Sequence, residues 1–299
     1  MCVRKRVLMM LLFGILAACG TGCGSSPAVV SLSAETPVTG TALPVTEAPV
    51  TEAAAAVTTV TTTVTVSPQW AEQVSPKGEN GHIIENVPHI MQFSEYLTAC
   101  ESVSAVELLR YYGINMDLDL FVNGFLPVAD YPGTGEDGEM HGESPWEYFI
   151  GDPNSPDGFG CYSGALVSAI NKIKSGLAVM LRYQPLEKLC SDYIDKGQPV
   201  IIWATMYMDY PQDSMQWYLP DGRLFTFTIP EHALLLIGYD EYYYYFSDSL
   251  QYGDIVGYSK AMTERAYDGL QMQAVAIDPL VLETVPEFWA IKPVTEPAE

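Results

Sequence analysis

The sequence predicts an α+β fold built around one helix and a pair of antiparallel strands. Residues 99–112 carry apolar side chains at helical spacing and are followed by Gly113, which predicts a helix that starts near Cys100. Two apolar runs of strand length, 232–239 and 242–246, follow each other closely. Such runs predict neighbouring antiparallel strands, so one helix and a sheet are expected to share a core.

The first 18 residues have the pattern of an export signal. Basic residues at 4–6 precede an uncharged apolar run of about ten residues, shorter than the roughly 18–20 that a membrane-spanning helix needs. Residues 16–20, Leu-Ala-Ala-Cys-Gly, resemble the bacterial lipobox, in which the cysteine, here Cys19, is acylated and becomes the mature N-terminus. The alternative is an ordinary secretory signal with an incidental cysteine. Cys23 is a weaker lipidation candidate because it lacks the leucine at minus three.

Residues 19–80 are predicted to form a disordered stalk. Most of this stretch is Ala, Pro, Thr, Val and Ser, with a Pro-Val-Thr unit that recurs but is too short for a solenoid repeat. We therefore expect a lipid-anchored protein on the bacterial cell surface, with a globular domain at 82–278 and a short C-terminal extension at 279–299.

The acidic composition limits the partners. The formal net charge is -23, so nucleic acid and anionic lipid surfaces are poor partners, since both require clustered Lys and Arg. Contact with the membrane is expected through the N-terminal lipid only. The acidity serves solubility outside the cell, with a cationic substrate as the alternative.

The cysteines predict no metal site. If Cys19 carries lipid, the exported chain keeps Cys23, Cys100, Cys161 and Cys190, and an oxidising compartment permits disulfides. A nucleophile must stay free, so Cys161 with Cys190 is the only pair considered inside the domain. The spacings between these cysteines exclude a Cys-x-x-Cys metal-binding motif, and no zinc signature is present.

Cys100 is the candidate nucleophile because it lies at the first turn of the predicted helix. Backbone N–H groups and the positive end of the helix dipole favour a thiolate there, which predicts a lowered pKa. A buried structural cysteine is the alternative.

Three further residues complete a candidate site. His232 follows Cys100 by about 130 residues, the separation of papain-type enzymes, and begins the first predicted strand. Asp248 ends the second strand, so antiparallel pairing would bring its carboxylate to the His232 ring and fix the tautomer. Gln92 can donate a hydrogen bond to an oxyanion, together with the backbone N–H of Cys100. His82 and His89 are expected to be structural or solvent-facing.

These residues lie within a set of motifs that resembles the peptidase C-39-like domain, a papain-fold relative of the peptidases that trim bacteriocin leaders. The resemblance covers roughly residues 85–278. It implies a papain-like α+β fold, a Cys100, His232 and Asp248 triad, Gln92 in the oxyanion hole, and no metal or organic cofactor. The motifs are Val87 to Gln92, Cys100-Glu101-Ser102, Gly151-Asp152-Pro153, Gly160-Cys161-Tyr162, Gly197 to Trp203, Glu231-His232, Gly238-Tyr239-Asp240 and Asp248.

Two departures limit what the resemblance implies. Ala99 precedes the nucleophile where these domains often have glycine, which narrows the approach to the cleft without removing a catalytic group. No transporter membrane domain or ATPase follows in this sequence, so the leader-processing role is not expected here.

The remaining segments fit the fold without naming a substrate. Residues 163–174 and 185–196 have helical spacing, and 199–205 is a buried-strand candidate. An insertion at 206–230 contains Pro-Asp-Gly, which predicts a hairpin turn. The insertion is expected either to form a wall of the substrate cleft or to be a packed surface hairpin. Residues 133–144 lack the EF-hand order and are interpreted as a mobile acidic loop.

The leading function is an extracellular thiol hydrolase, a monomeric cysteine peptidase that acts on a peptide or protein. One alternative keeps the triad for amide hydrolysis or transamidation on a wall peptide. The other is a surface lipoprotein that binds peptides or wall components without turnover.

Overall fold

An antiparallel sheet of seven strands lies at the centre of the structure, a computed structural model that describes residues 81–92, 96–253 and 255–290. The strands are β1 (His82–Ile83), β6 (Ala178–Arg182), β7 (Val200–Thr205), β10 (Glu231–Tyr239), β11 (Tyr243–Ser247), β12 (Val256–Ser259) and β13 (Gln273–Ile277). Their order is β12-β11-β10-β7-β13-β6, and β1 pairs with the C-terminal end of β10. Adjacent antiparallel β10 and β11 confirm the predicted strand pair.

Helices cover both faces of this sheet. They are α1 (Cys100–Tyr111), α2 (Leu118–Leu120), α3 (Ser163–Asn171), α4 (Leu186–Asp192), α5 (Lys260–Gly269) and α6 (Pro279–Leu282), with a π-helical turn at Phe121–Phe125 and 3-10 turns at Ile194–Lys196, Met206–Met208 and Glu287–Trp289. Side chains of α1 and α3 belong to one hydrophobic cluster, and those of α4 and α5 to another. Thus α1 and α3 cover one face of the sheet, and α4 and α5 cover the other.

The two central strands, β7 and β10, are buried along almost their whole length because both of their faces are covered. Successive side chains of a strand point to opposite faces, so a strand between two helical layers needs apolar residues at nearly every position. On β10, Leu235 belongs to the α1 cluster, whereas Leu234 and Leu236 belong to the α5 cluster. All six residues of β7 are buried, which confirms the buried strand predicted at 199–205.

A second, four-stranded sheet holds the insertion that precedes His232. Its order is β3 (Gly133–Thr134), β4 (Met140–His141), β8 (Gln212–Tyr218) and β9 (Leu224–Ile229). Two short strands, β2 (Val128–Ala129) and β5 (Phe149–Ile150), form a separate parallel pair. The turn between β8 and β9 contains Gly222 at φ +82°, as the Pro-Asp-Gly sequence predicted. The stretch interpreted as a mobile acidic loop at 133–144 contains a short hairpin, because β3 and β4 pair and β8 extends them, and its residues Glu136, Asp137 and Glu139 lie between the two strands.

The cysteines of the domain do not form the disulfide that was considered. Cys100, Cys161 and Cys190 are all free thiols and all buried. Cys190 lies in the cluster under α5, whereas Cys161 lies in a separate small cluster with Phe149. Cys161 and Cys190 therefore belong to different hydrophobic clusters of the core.

The chain after β13 returns to the domain. Asp278 caps α6 by accepting hydrogen bonds from two backbone N–H groups, and the Trp289 carbonyl accepts a hydrogen bond of 2.6 Å from the Asn115 N–H. The predicted signal segment, Cys19 and the predicted stalk at 19–80 lie outside the described residues. In the stretches 81–92, 96–253 and 255–290, no helix has the length and apolar character needed to cross a bilayer.

Candidate active site

Helix α1 carries Cys100 into the centre of the domain. The helix starts at this residue, as predicted, and its first ten side chains are buried because α1 packs between the sheet and neighbouring helices. The Cys100 residue is only 3% exposed. Its Sγ accepts a hydrogen bond from the Ala233 N–H at 3.3 Å and donates to Glu101 Oε2 at 3.5 Å. The thiol therefore lies against β10, directly beside the position of His232.

His232 and Asp248 form a buried pair at the ends of β10 and β11. His232 Nε2 lies 2.8 Å from Asp248 Oδ1, and each residue is 1% exposed. The same carboxylate accepts hydrogen bonds from the Leu250 N–H at 3.0 Å and the Tyr258 hydroxyl at 2.7 Å. The antiparallel register brings the two side chains together as the sequence predicted, and Tyr258 on β12 adds a contact that the sequence did not indicate.

The electrostatics of this pair favour an ionised Asp248. Burial opposes the charge, but the positive potential of His232 and its hydrogen bond, together with the Tyr258 hydroxyl, outweigh it and hold the Asp248 pKa below its ordinary value. An ionised carboxylate only accepts hydrogen bonds, so Nε2 of His232 carries the hydrogen. In the neutral form of the ring, Nδ1 then carries the lone pair that a general base requires.

The thiol and the imidazole are not hydrogen-bonded to each other in this structure. His232 Nδ1 is buried without a hydrogen-bond partner, while the Cys100 thiol points to Glu101. Cys100 therefore contacts the residue that follows His232 on β10, the Ala233 N–H, but its thiol donates its hydrogen bond to Glu101 and not to the base.

The expectation of a lowered Cys100 pKa was wrong for this arrangement. Burial is the largest cause that raises the pKa of the thiol well above its ordinary value, followed by the charges of Glu101 and Glu231. The N–H of Ala233 acts in the opposite direction and is weaker. A helix start favours a thiolate only where desolvation and nearby carboxylates do not oppose it.

Gln92 lies on the extended segment before α1 and is tied to the loop that follows Asp248. Its backbone N–H donates to the Ser249 carbonyl at 3.1 Å, and its Oε1 accepts from the Ser249 hydroxyl at 2.8 Å. Its Nε2 donates to the Leu97 carbonyl at 3.0 Å. The amide therefore has a fixed orientation near the start of α1, and its role as an oxyanion donor stays a prediction.

A buried polar layer supports the site from behind. His89 Nδ1 is 2.9 Å from the Ser247 hydroxyl, and the Ile90 N–H donates to Glu107 Oε1 at 2.6 Å. Burial raises the pKa of Glu107, on α1, to about 8. These contacts hold the segment that carries Gln92 against both α1 and β11, so His89 has the structural role that was expected.

Two acidic residues beside the candidate nucleophile were not singled out from the sequence. The ligand atoms of Cys100, Glu101 and Glu231 all lie within 4.8 Å of one another, and all three residues are buried. Among the described residues this is the group whose spacing could hold a metal ion. The sequence signal was present but indirect, since one acid is adjacent to Cys100 in a buried helix and the other to His232 in a buried strand.

The insertion packs one of its sides against the rest of the domain. Trp217 of β8 is fully buried, with its Nε1 donating to the Glu143 carbonyl at 2.9 Å and its ring 5.0 Å from that of Phe225. A surface cavity of about 650 Å³ adjoins this sheet, but none of the four candidate site residues lines it. One side of the hairpin is thus packed, and its role as a cleft wall stays a prediction. The cavity is lined in part by Tyr131, His141, Tyr148 and Tyr218.

The sequence of this chain is similar to those of known proteins. The sequence matches the model of the Peptidase_C39 like family over residues 84–275. It is 30% identical to the uncharacterized protein YvpB of Bacillus subtilis (strain 168) over 186 residues, which cover 60% of this chain and 68% of that protein.

Solved structures show the same similarity. A candidate C39-like peptidase from Bacillus anthracis superposes with a TM-score of 0.60 at 29% identity, covering 67% of this chain and 98% of that chain. A double glycine motif protease from an AMS/PCAT transporter, in complex with the leader peptide, gives a TM-score of 0.35 at 18% identity, over 69% of this chain and 100% of that chain. A similarity as weak as the second supports no inference, whereas the first supports a common fold.

Proposed function

Because this chain belongs to the Peptidase_C39 like family and has a papain-like α+β fold, we propose that it is a cysteine peptidase with Cys100 as nucleophile. The observation that carries this proposal is the buried pair of His232 and Asp248 beside the start of α1, with Nε2 and Oδ1 2.8 Å apart. A base oriented by a carboxylate next to a thiol is the arrangement that thiol nucleophiles use.

The proposed reaction needs one rearrangement of the resting site. The Cys100 side chain rotates from Glu101 towards Nδ1 of His232, which accepts the thiol proton as Sγ attacks the peptide carbonyl carbon. The backbone N–H of Cys100 and the amide of Gln92 are proposed to stabilise the oxyanion.

Turnover is then completed in two steps. The peptide C–N bond breaks, and the leaving amine takes the proton from Nδ1, which leaves a thioester on Cys100. Water next gives a proton to Nδ1 of His232 and attacks the thioester, releasing the carboxylic acid and restoring the thiol. Asp248 keeps the ring in the same tautomer throughout.

A thiol-directed probe tests whether His232 activates Cys100. Labelling is followed residue by residue with mass spectrometry, so Cys161 and Cys190 serve as internal buried controls. Labelling at Cys100 that falls at least about tenfold in His232→Ala supports an activated thiolate. Equal labelling in both proteins would overturn the catalytic proposal and favour a protein that binds without turnover.

Cleavage of a peptide library tests the reaction and its substrate. Cys100→Ala is the control, since it removes the nucleophile and changes little volume in the core. Hydrolysis by the wild-type chain alone supports the peptidase. Release of side-chain amides, or exchange with added amines, would instead assign amide hydrolysis or transamidation to the same site.

We also propose that the chain is exported and held at the bacterial cell surface through a lipid on Cys19. The support is the basic and apolar pattern of residues 1–18 and the lipobox-like string that follows. In a bacterial host fed a labelled fatty acid, Cys19→Ser should lose the acyl label and leave the membrane fraction, whereas Cys23→Ser should keep both. Retention of the label in Cys19→Ser would contradict the proposal.

A further inference from the structure

Two carboxyl groups converge beside the candidate nucleophile. Glu101 follows Cys100 on α1 and is fully buried, and Glu231 precedes His232 on β10 and is 7% exposed. Ala233 packs in the same hydrophobic cluster as α1, and Glu231, two residues earlier on the strand, lies on the same face. The helix and the strand therefore each direct one acid to the same buried point.

Gly160 shows how closely the two carboxyl groups approach. A Cβ at this position would lie 2.7 Å from Glu101 Oε1 and 2.7 Å from Glu231 Oε2. The neighbouring Cys161 N–H donates to Glu101 Oε1 at 2.5 Å, and the Trp203 indole N–H holds the Cys161 carbonyl at 2.8 Å. The 160–161 segment is thus fixed against the acid pair by its backbone.

The surroundings of the pair supply little compensating charge. The Cys100 thiol faces it from α1, the Cys161 thiol from the neighbouring segment, and the His232 ring from β10. Among the ion pairs of the described residues, none joins Glu101 or Glu231 to a Lys or Arg. Two buried carboxylates at this separation repel strongly, so a proton or a bound cation must relieve the repulsion.

We propose that Glu101 and Glu231 share one proton and act as a positioning pair, which holds the 160–161 segment at the start of α1 and the Cys100 thiol away from His232. Burial, followed by their mutual repulsion, raises the pKa of Glu231 well above its ordinary value, and burial also raises the pKa of Glu101. One oxygen of Glu231, Oε1, is buried without a hydrogen-bond partner and can carry or receive such a proton. This inference rests on the proposed role of Cys100 as nucleophile.

A shared proton makes a specific prediction for Glu to Gln variants. The pair then has one negative charge, and a glutamine at either position mimics the protonated member. Glu101→Gln and Glu231→Gln should each leave the pH profile of Cys100 alkylation nearly unchanged. The double variant loses the last negative charge, so Cys100 should label about tenfold or more faster at neutral pH.

Three other outcomes would overturn the proposal. A shift to lower pH in each single variant means that both carboxyl groups are ionised. No shift in the double variant means that both are protonated. A shift in the wild-type chain on treatment with EDTA means that a metal ion, held by Cys100 and the two acids, takes the place of the proton. Glu187→Gln, which removes one exposed charge, is the matched control and should leave the profile unchanged.

Infrared spectroscopy keeps the test decisive if the double variant does not fold. Measured in a Glu107→Gln background, which removes another buried carboxyl group, the band of a protonated carboxyl should disappear in either single variant. A band that remains in a single variant means that both carboxyl groups of the pair are protonated. If the Glu107→Gln parent shows no band, neither carboxyl group is protonated. Neither readout depends on turnover. If the wild-type chain cleaves peptides no faster than Cys100→Ala, that result overturns the proposed function but leaves the inference about the acid pair standing.

Discussion

Asp248 accepts three hydrogen bonds, and these contacts fix the position of the His232 ring. Its Oδ1 contacts the His232 ring and the Leu250 N–H, and its Oδ2 accepts from the Tyr258 hydroxyl. A buried carboxylate that loses a donor keeps its desolvation cost, so each partner contributes to stability as well as to geometry. Tyr258 contacts the orienting carboxylate, not the reacting atoms, and is therefore a positioning residue.

Tyr258→Phe should destabilise the fold by about 1–3 kcal/mol at neutral pH, because it leaves Asp248 Oδ2 buried without that donor. The depressed Asp248 pKa contributes stability above the ordinary carboxyl pKa, and this is lost as the pH falls through the folded value. The variant weakens that depression, so its acid unfolding should begin at higher pH. Urea and acid unfolding measure both effects.

Tyr239→Phe is the matched control, since the Tyr239 hydroxyl donates to Asp195 at 2.7 Å in an exposed hydrogen bond. It should change stability by less than about 1 kcal/mol. Equal losses in the two variants would contradict the special role of the buried Tyr258 contact.

Glu107 should make the fold less stable as the pH rises. Its folded pKa is about 8, raised by burial, whereas in the unfolded chain it loses its proton near pH 4.5. Between these values the folded state binds more protons, so this contribution is fully present below about pH 4.5 and is lost as the pH rises through 8. Glu107→Gln keeps an acceptor for the Ile90 N–H and removes this dependence.

From pH 5 to 8, the free energy of unfolding measured in urea should therefore fall further for the wild-type chain than for Glu107→Gln. The difference between the two decreases should be on the order of a few kcal/mol. Glu187→Gln, on the exposed side of α4, should keep the wild-type slope. Identical slopes for wild type and Glu107→Gln would show that Glu107 titrates in the folded state as it does in the unfolded one.

At the scale of elements, the site depends on how α1, β10 and the 160–161 segment approach one another. The helix supplies Cys100 and Glu101, and the strand supplies Glu231 and His232. Gly160 permits the approach because it has no side chain and adopts φ +99°. Ordinary helix and strand periodicity predicts the first two elements, but no local pattern indicates which loop passes between them.

Gly160→Ala should destabilise the fold more than Gly113→Ala. Both positions have positive φ, so each alanine costs roughly 1–2 kcal/mol of backbone strain. Only at Gly160 does the new Cβ meet the two carboxyl groups at 2.7 Å, whereas nothing lies within 4 Å at Gly113. The added crowding should cost about 1–3 kcal/mol more, measured by urea unfolding. Equal losses would show that the acid pair moves aside freely.

At the scale of the whole molecule, a sheet covered on both faces is joined to a smaller four-stranded sheet by an aromatic cluster. Phe225 and Phe227 of the small sheet contact Tyr162, next to α3, and Phe227 contacts Phe159 at 5.3 Å between ring centroids. Trp217 stacks on Phe227 within the same sheet. The 206–230 insertion is therefore part of the core, which explains why its largest side chain is buried.

Trp217→Ala should destabilise the fold by about 3–5 kcal/mol, because it removes the largest member of this cluster and leaves a cavity. Leu224→Ala, on the neighbouring β9, is the control, since Leu224 is 54% exposed and should cost less than about 1 kcal/mol. Urea unfolding of the two variants checks the difference. A small loss for Trp217→Ala would mean that the insertion folds independently of the main sheet.

The sequence by itself determined the helix that starts at Cys100, the two strands that bring His232 to Asp248, and the hairpin turn near Gly222. These follow from periodicity and turn chemistry, which act between residues close in the chain. Only the tertiary structure decided that Glu101 and Glu231 meet and that the Cys100 thiol turns towards them. It also decided that residues 133–144 form a hairpin, because these contacts join segments distant in sequence and depend on packing and burial.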